Sequence, residues 1–268
     1  MLLPRFAVDD IITTALKEDI HYLDTTTDLM IPADSRSTAR FLAKAEGVVC
    51  GMEIAMRVFT LLDDSFTCRV YVQDGDPVKP GDVLAECEGS TRFLLKGERT
   101  ALNLLQHLSG IASATNRAVK LVEGTRATIT DTRKTLPGLR ALQKYAVTVG
   151  GGKNHRFNLS DGAMLKDNHI DAAGGITPAV NALRSRLGHM VKLEVETRNL
   201  DEVKEALAAG ADIIMLDNMD PETMKEAVAL IAGRAQTECS GNVTAEKIAQ
   251  LRDIGVDYIS SGALTHSS

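Results

Sequence analysis

Residues 191–218 read VKLEVETRNLDEVKEALAAGADIIMLDN. The apolar run 191–195 ends on Glu196, the segment 200–209 is amphipathic and stops at Gly210, and a second apolar run, 213–216, ends on Asp217-Asn218. Two strand-length runs separated by an amphipathic helix are the mark of a parallel βα repeat, because parallel neighbours need a crossover of about a dozen residues. The grammar continues on both sides. Further apolar runs fall at 127–130, 163–165, 237–239 and 258–260, and helix-like segments at 221–232 and at 245–254, the latter ending at Gly255.

Each run leads into polar residues: Asp131-Thr132-Arg133-Lys134, Lys166-Asp167-Asn168-His169, Glu196, Asp217-Asn218, Ser240-Gly241-Asn242 and Ser261-Gly262-Ala263. In a β/α barrel the C-terminal strand ends share one rim, so residues placed there converge on one site. Six successive polar ends exceed what packing requires. Residues 104–268 are therefore expected to form a closed or partly open β/α barrel.

Residues 1–103 are punctuated differently. Val8, Ile11, Ile12, Ala15 and Leu16 have the spacing of a one-faced helix. Short runs at 38–42, 47–50, 66–72 and 83–84 are then broken by Asp74-Gly75-Asp76-Pro77 and Lys79-Pro80-Gly81-Asp82, which favours short antiparallel strands. The stretch 73–82 resembles the turn of biotinyl and lipoyl carriers, but no modified-lysine hairpin follows. From residue 99 a long apolar helical face begins, with Ala101, Leu104, Leu105, Leu108 and Ile111.

With 268 residues, 44% hydrophobic, the chain has ample core for one large or two modest domains. Thirty Lys+Arg against 36 Asp+Glu give a net charge of −6, which disfavours general nucleic-acid binding. The four cysteines form no C-x-x-C pair, so zinc-ribbon and redox-motif spacings are absent and reduced thiols are expected. Asp9 and Asp10 interrupt the N-terminus before any signal-peptide core, and no stretch approaches a membrane span. A cytoplasmic protein without membrane partners is the expectation.

Between residues 131 and 169 there are seven Lys+Arg and three Asp, a window of +4 in a chain whose remainder carries −10. Cations beside predicted strand ends suit a small polyanion, and Gly150-Gly151-Gly152 would let backbone approach it closely. Glu196 and Asp217, each ending a strand, suit a divalent metal or sugar hydroxyls. The paired Ser-Gly turns at 240–242 and 261–263 fall where the last barrel strands commonly hold phosphate. These residue types define a phosphorylated, metal-assisted, anionic substrate and leave the reaction open.

The stretch DTRKTLPGLRALQKYAVTVGGGKNHRFNLSDGAMLKDNHI (131–170), with GERTALN, LEVE, MLDN, ECSGNV and ISSGALTHS, resembles the quinolinate phosphoribosyltransferases. The resemblance runs from near Ala7 to the last residues. It implies an α/β protein, an N-terminal α+β open sandwich followed by an incomplete β/α barrel, divided as 1–103 and 104–268. The implied activity is transfer of phosphoribosyl from phosphoribosyl pyrophosphate to quinolinate with decarboxylation, giving nicotinate mononucleotide, CO2 and pyrophosphate on the way to NAD. It further implies a homodimer with shared active sites, with room for higher assembly.

Carried onto this sequence, the resemblance assigns the quinolinate carboxylates to Arg133, Arg156 and Lys166, helped by Lys134 and His155, with Thr132 beside them. Arg99 would reach the neighbouring subunit's site. Glu196 and Asp217 would hold ribose hydroxyls and Mg2+, and Ser240, Gly241, Asn242, Ser261, Gly262 and Ala263 the 5′-phosphate. Lys134, Glu196 and Asp217 would be the catalytic groups. Asn242 stands where the family often has Gly, and members usually continue past the Thr265-His266-Ser267 motif, so 268 residues is slightly short for the family. The rival readings are a molybdenum-transport-associated relative, which shares GGG-x-x-HR but tends to lack Lys-Asp-Asn-His, and a non-catalytic barrel that binds a phosphorylated metabolite.

Overall fold

A computed structural model describes residues 3–240 and 245–267. The chain divides into two units, residues 3–116 with 136–151, and residues 117–135 with the described part of 152–267. In chain order the elements are α1 (Arg5–Ile20), α2 (Thr25–Met30), β1 (Arg36–Leu42), β2 (Gly47–Val48), α3 (Met52–Leu62), β3 (Thr67–Val70), β4 (Pro77–Val78), β5 (Val83–Ser90) and α4 (Thr91–Leu121). There follow β6 (Thr128–Thr130), α5 (Arg140–Val149), β7 (Ala163–Leu165), α6 (Asp167–Ala173), α7 (Ile176–Arg184), β8 (Leu193–Thr197) and α8 (Leu200–Ala208). The last are β9 (Ile213–Asp217), α9 (Pro221–Ile231), β10 (Gln236–Ser240), α10 (Ala245–Leu251), β11 (Tyr258–Ser260) and α11 (Ala263–His266).

The first unit is an open α+β sandwich. Its sheet has the order β1-β5-β3 and is antiparallel throughout. Val8, Ile12 and Leu16 of α1 are buried at four-residue spacing, as the helical period demands. One sheet face meets α3, where Phe41 of β1 lies edge-on to Phe59, 6.0 Å between ring centres. The opposite face is left to charged pairs such as Arg40 with Glu86 at 2.8 Å. The short strands β2 and β4 pair separately, which is where the carrier-like turn goes. Helix α3, absent from the sequence expectations, buries Ile54, Ala55, Val58 and Phe59, a 3–4 spacing partly hidden by its fully apolar neighbours Met52 and Met56.

The second unit carries a parallel sheet in the order β6-β11-β10-β9-β8-β7. Among the described residues β6 and β7 do not pair with each other. Thr130 of β6 makes only a single parallel bridge to Lys153, so the barrel is incomplete. Leu193, Val195, Ile214, Leu216, Cys239 and Ile259 fill its core. Local signals set the crossover helices. Asn199 caps α8 by accepting from the Asp201 and Glu202 amides, and Asp220 caps α9 ahead of Pro221.

The six apolar runs read from the sequence are the six strands of this sheet, shifted by at most two residues. Helices α5, α6 and α7 were not expected. The 103/104 division lies inside α4, which runs unbroken from Thr91 to Leu121, and α5 belongs to the first unit.

Candidate active site

The strand ends of the second unit open on a cavity of about 630 Å³. Thr132, Arg133 and Lys134 follow β6, Lys166 follows β7, Glu196 and Asp217 lie at the ends of β8 and β9, Ser240 ends β10, and Ser261, Gly262 and Ala263 follow β11. His155 and Arg156 join them from the segment after β6's bridge to Lys153. Twelve residues expected from the sequence thus line one cavity. Gly241 and Asn242 lie outside the described residues. Arg99 is exposed on α4 of the first unit and is not among the lining residues.

Two sequence expectations change. Of the seven cations between 131 and 169, Arg133, Lys134, Arg156 and Lys166 line the cavity, whereas Arg140 and Lys144 belong to the first unit, where Lys144 is fully buried. The glycine run also has another purpose. A Cβ at Gly150 would overlap the Ala112 carbonyl and the Thr115 side chain, so this glycine allows close packing on α4.

Each cation is held by its backbone. Thr132 Oγ1 accepts the Lys134 amide at 3.0 Å, and Thr265 Oγ1 donates to the Lys134 carbonyl at 2.7 Å. The Thr-His-Ser motif therefore fixes a residue 131 positions away in sequence. Gly262 leaves room for the Lys134 side chain, which a Cβ there would strike. Buried Asp131 accepts the His155 amide at 2.9 Å and the Asn154 amide group at 2.6 Å, clamping the segment that carries Arg156. His169 Nδ1 accepts the Lys166 amide at 3.1 Å, which gives the Lys-Asp-Asn-His stretch a structural reason.

The cationic side is only partly satisfied. Arg156 donates to the Gly162 carbonyl at 2.9 Å, and burial with the nearby Arg133 charge weakens its hold on its proton. The Nε of Arg133 is buried and has no acceptor among the described residues. A guanidinium N–H left in this state is costly unless a ligand supplies the acceptor.

On the acidic side Lys166 Nζ stands 3.8 Å from Glu196 Oε2. Burial pushes the Glu196 carboxyl above its ordinary range, Lys166 pulls it back, and the charge of Asp217 raises it again. Asn218, in the left-handed region at φ 51°, donates to Asp217 at 2.9 Å. Two carboxylates at neighbouring strand ends, one disfavoured by the other's charge, are a donor set suited to a hard divalent cation.

Sequence reading missed Glu194, between Leu193 and Val195, and Glu238, between Thr237 and Cys239, which lie inside their strands. They are 4% and 3% exposed. His155 Nε2 lies 3.1 Å from Glu194 and 3.5 Å from Glu238. Burial and the Glu194 charge push the Glu238 carboxyl up to about 7. The three side chains have the proximity of a metal site. However, His155 Nδ1 accepts the Arg156 amide at 2.8 Å, which leaves the proton of a neutral imidazole on Nε2, facing the carboxylates. That tautomer donates hydrogen bonds and does not ligate. His266, also missed, lines the cavity beside Gly262.

A larger cavity, about 1,090 Å³, lies in the first unit, and two of its charged groups, Arg57 and Asp74, have partners within the fold. Arg57 makes a two-pronged pair with Asp9 at 2.7 and 2.8 Å, and Asp74 accepts from Tyr145 at 2.7 Å and the Met52 amide at 3.0 Å.

Known proteins match the chain over nearly its whole length. The family model for the quinolinate phosphoribosyl transferase N-terminal domain matches residues 24–109, and that for the C-terminal domain residues 111–268. The chain is 46% identical to a probable nicotinate-nucleotide pyrophosphorylase [carboxylating] of Bacillus subtilis over 93% of its own length and 86% of that protein's. Identity to the Synechocystis protein of the same description is 45%, over 97% and 89%. The crystal structure of NadC from Streptococcus pyogenes superposes with a TM-score of 0.96 at 47% identity, covering 100% of this chain and 94% of that one.

Proposed function

The chain belongs to the quinolinate phosphoribosyltransferase family, and from that premise we propose how its cavity divides the work. The enzyme transfers phosphoribosyl from phosphoribosyl pyrophosphate to quinolinate with decarboxylation, yielding nicotinate mononucleotide, CO2 and pyrophosphate. Arg133, Arg156 and Lys166 receive the two quinolinate carboxylates, with Lys134, Thr132 and His155 alongside. The observation that carries this assignment is the buried Arg133 Nε without an acceptor among the described residues, in a cavity with three further cations. Arg forks match carboxylates in two parallel hydrogen bonds, and a dianion neutralises such a group better than water can.

Glu196 and Asp217 hold the ribose hydroxyls and Mg2+, and Ser240, Gly241, Asn242, Ser261, Gly262 and Ala263 hold the 5′-phosphate. When bound, Mg2+ supplies charge neutralisation for the departing pyrophosphate. Lys134 adds a second positive charge to the same departure, while the Glu196 and Asp217 carboxylates stabilise the oxocarbenium character left at ribose C1. The pyridine nitrogen, held in line by the carboxylate forks, attacks that carbon. Once the nitrogen is quaternised the ring can accept the electron pair of the 2-carboxylate bond, CO2 leaves, and ring carbon C2 takes up a proton from solvent in its place. No covalent nucleophile is required, and positioning supplies much of the rate.

Arg99 completes the site of a second subunit in a cytoplasmic homodimer. Its exposure on α4, without a hydrogen bond or ion pair to another described residue, supports that reading. Purified protein given quinolinate, phosphoribosyl pyrophosphate and Mg2+ should release nicotinate mononucleotide, CO2 and pyrophosphate in equal amounts. Saturable binding without turnover would identify the idle barrel instead. Mixing inactive Arg99→Ala and inactive Glu196→Ala subunits should restore activity in demonstrated heterodimers, and no restoration would remove Arg99 from the shared site.

A further inference from the structure

Cys68 and Cys87 stand 19 residues apart in sequence and directly opposite each other on β3 and β5. Tyr71 donates its amide to the Leu84 carbonyl at 2.9 Å, so Tyr71 and Leu84 are a hydrogen-bonded pair. Counting back along the antiparallel ladder, Val70–Ala85 and Cys68–Cys87 are non-hydrogen-bonded pairs, the positions where Cα atoms approach to about 4.5 Å and side chains are closest. A disulfide spans Cα separations of about 4.4–6.8 Å, so this register can close one without moving backbone. The sulfurs are 2.8 Å apart, and Cys87 also points at Met56 Sδ, 3.7 Å away.

The two thiols differ in access. Cys87 is 3% exposed, whereas Cys68 is half-buried and lines the 1,090 Å³ cavity of the first unit. One sulfur is therefore open to a small molecule, while the other is buried against the first sulfur and Met56. Cys50 and Cys239 are free and buried.

We propose that Cys68 and Cys87 form a site of reversible oxidation that takes a low-molecular-weight disulfide and closes a cross-strand disulfide between β3 and β5. Cys68 loses its proton to solvent, and its thiolate attacks one sulfur of the oxidant, breaking that S–S bond and releasing one thiolate, which takes up a proton. Cys87 then loses its proton as its sulfur attacks Cys68 Sγ, expelling the second thiolate, which is protonated in turn. The protein gives up two electrons and two protons, and the oxidant becomes two thiols. Burial raises both thiols above their ordinary range, the Cys87 hydrogen bond offsetting this at Cys68. The first step is accordingly slow at neutral pH and speeds up about tenfold per pH unit while the thiolate fraction remains small.

The full-length protein, incubated natively with oxidised glutathione and then denatured, should lose two of its four titratable thiols. Peptide mapping should find Cys68 joined to Cys87, no retained glutathione, and all four thiols restored by dithiothreitol. Cys68→Ser should keep its three remaining thiols under the same treatment, because Cys87 is buried and Cys68 is the sulfur open to the oxidant. Persistence of four thiols, a stable glutathione adduct on Cys68, or a linkage to Cys50 or Cys239 would overturn the proposal. The wild-type peptide map decides the matter even if the serine variant fails to fold.

Discussion

Each unit holds a cavity bordered by charged side chains, and the two differ in whether those charges satisfy one another. In the first, Asp9 accepts from Nε and Nη2 of Arg57, and Asp74 accepts two hydrogen bonds. In the second, Arg133 keeps a buried N–H with no acceptor among the described residues, and burial pushes Glu196 and Glu238 toward their neutral forms. Polar groups that cost free energy in the isolated fold are retained where a ligand or a reaction uses them. On the proposed assignment the smaller cavity is the one a ligand completes.

Three substitutions sharpen this contrast. Glu196→Gln removes the charge but keeps the shape, and should lower kcat by about 100- to 1,000-fold, with little change in the KM for quinolinate. Steady-state kinetics would check it, and a loss confined to quinolinate KM would move Glu196 to the wrong side of the cavity.

Glu238→Gln should change stability rather than binding. The folded carboxyl lies near 7, above the ordinary 4.5, so the wild-type contribution is complete below about pH 4.5 and is lost as pH rises through about 7. Glutamine does not ionise. At pH 8 the variant should exceed the wild type by on the order of 1–3 kcal/mol, and at pH 4.5 the advantage should vanish. Urea unfolding at both values would test this, and identical pH slopes would mean that Glu238 titrates normally.

Arg57→Ala, in the self-satisfied cavity, should cost only about 1–2 kcal/mol of stability and leave kcat unchanged. A large loss of turnover would erase the distinction between the two cavities.

How much of this was readable in advance follows the same division. The second unit's six strands were legible because short apolar runs alternate with crossover helices, and because each run ends in polar residues that packing does not need. Twelve cavity residues followed from that single regularity together with the family resemblance. Helix α3 escaped because its apolar residues are too dense to display a face, and α5 because it lies inside the cationic window, where Arg140 and Lys144 count only toward the charge. Glu194 and Glu238 were invisible for a different reason. A carboxylate inside a strand declares its burial only when its neighbours across the sheet are known. The same holds for Cys68 and Cys87, whose pairing depends on register.

The central claim is that the unsatisfied cations of the second unit receive the quinolinate carboxylates. Arg133→Ala tests it most directly, through the KM values for both substrates measured in the same preparation. Loss of a charge-assisted fork should raise the quinolinate KM by about 100-fold while changing that for phosphoribosyl pyrophosphate less than about threefold. Equal increases for the two substrates would contradict the account and assign the cations to phosphate.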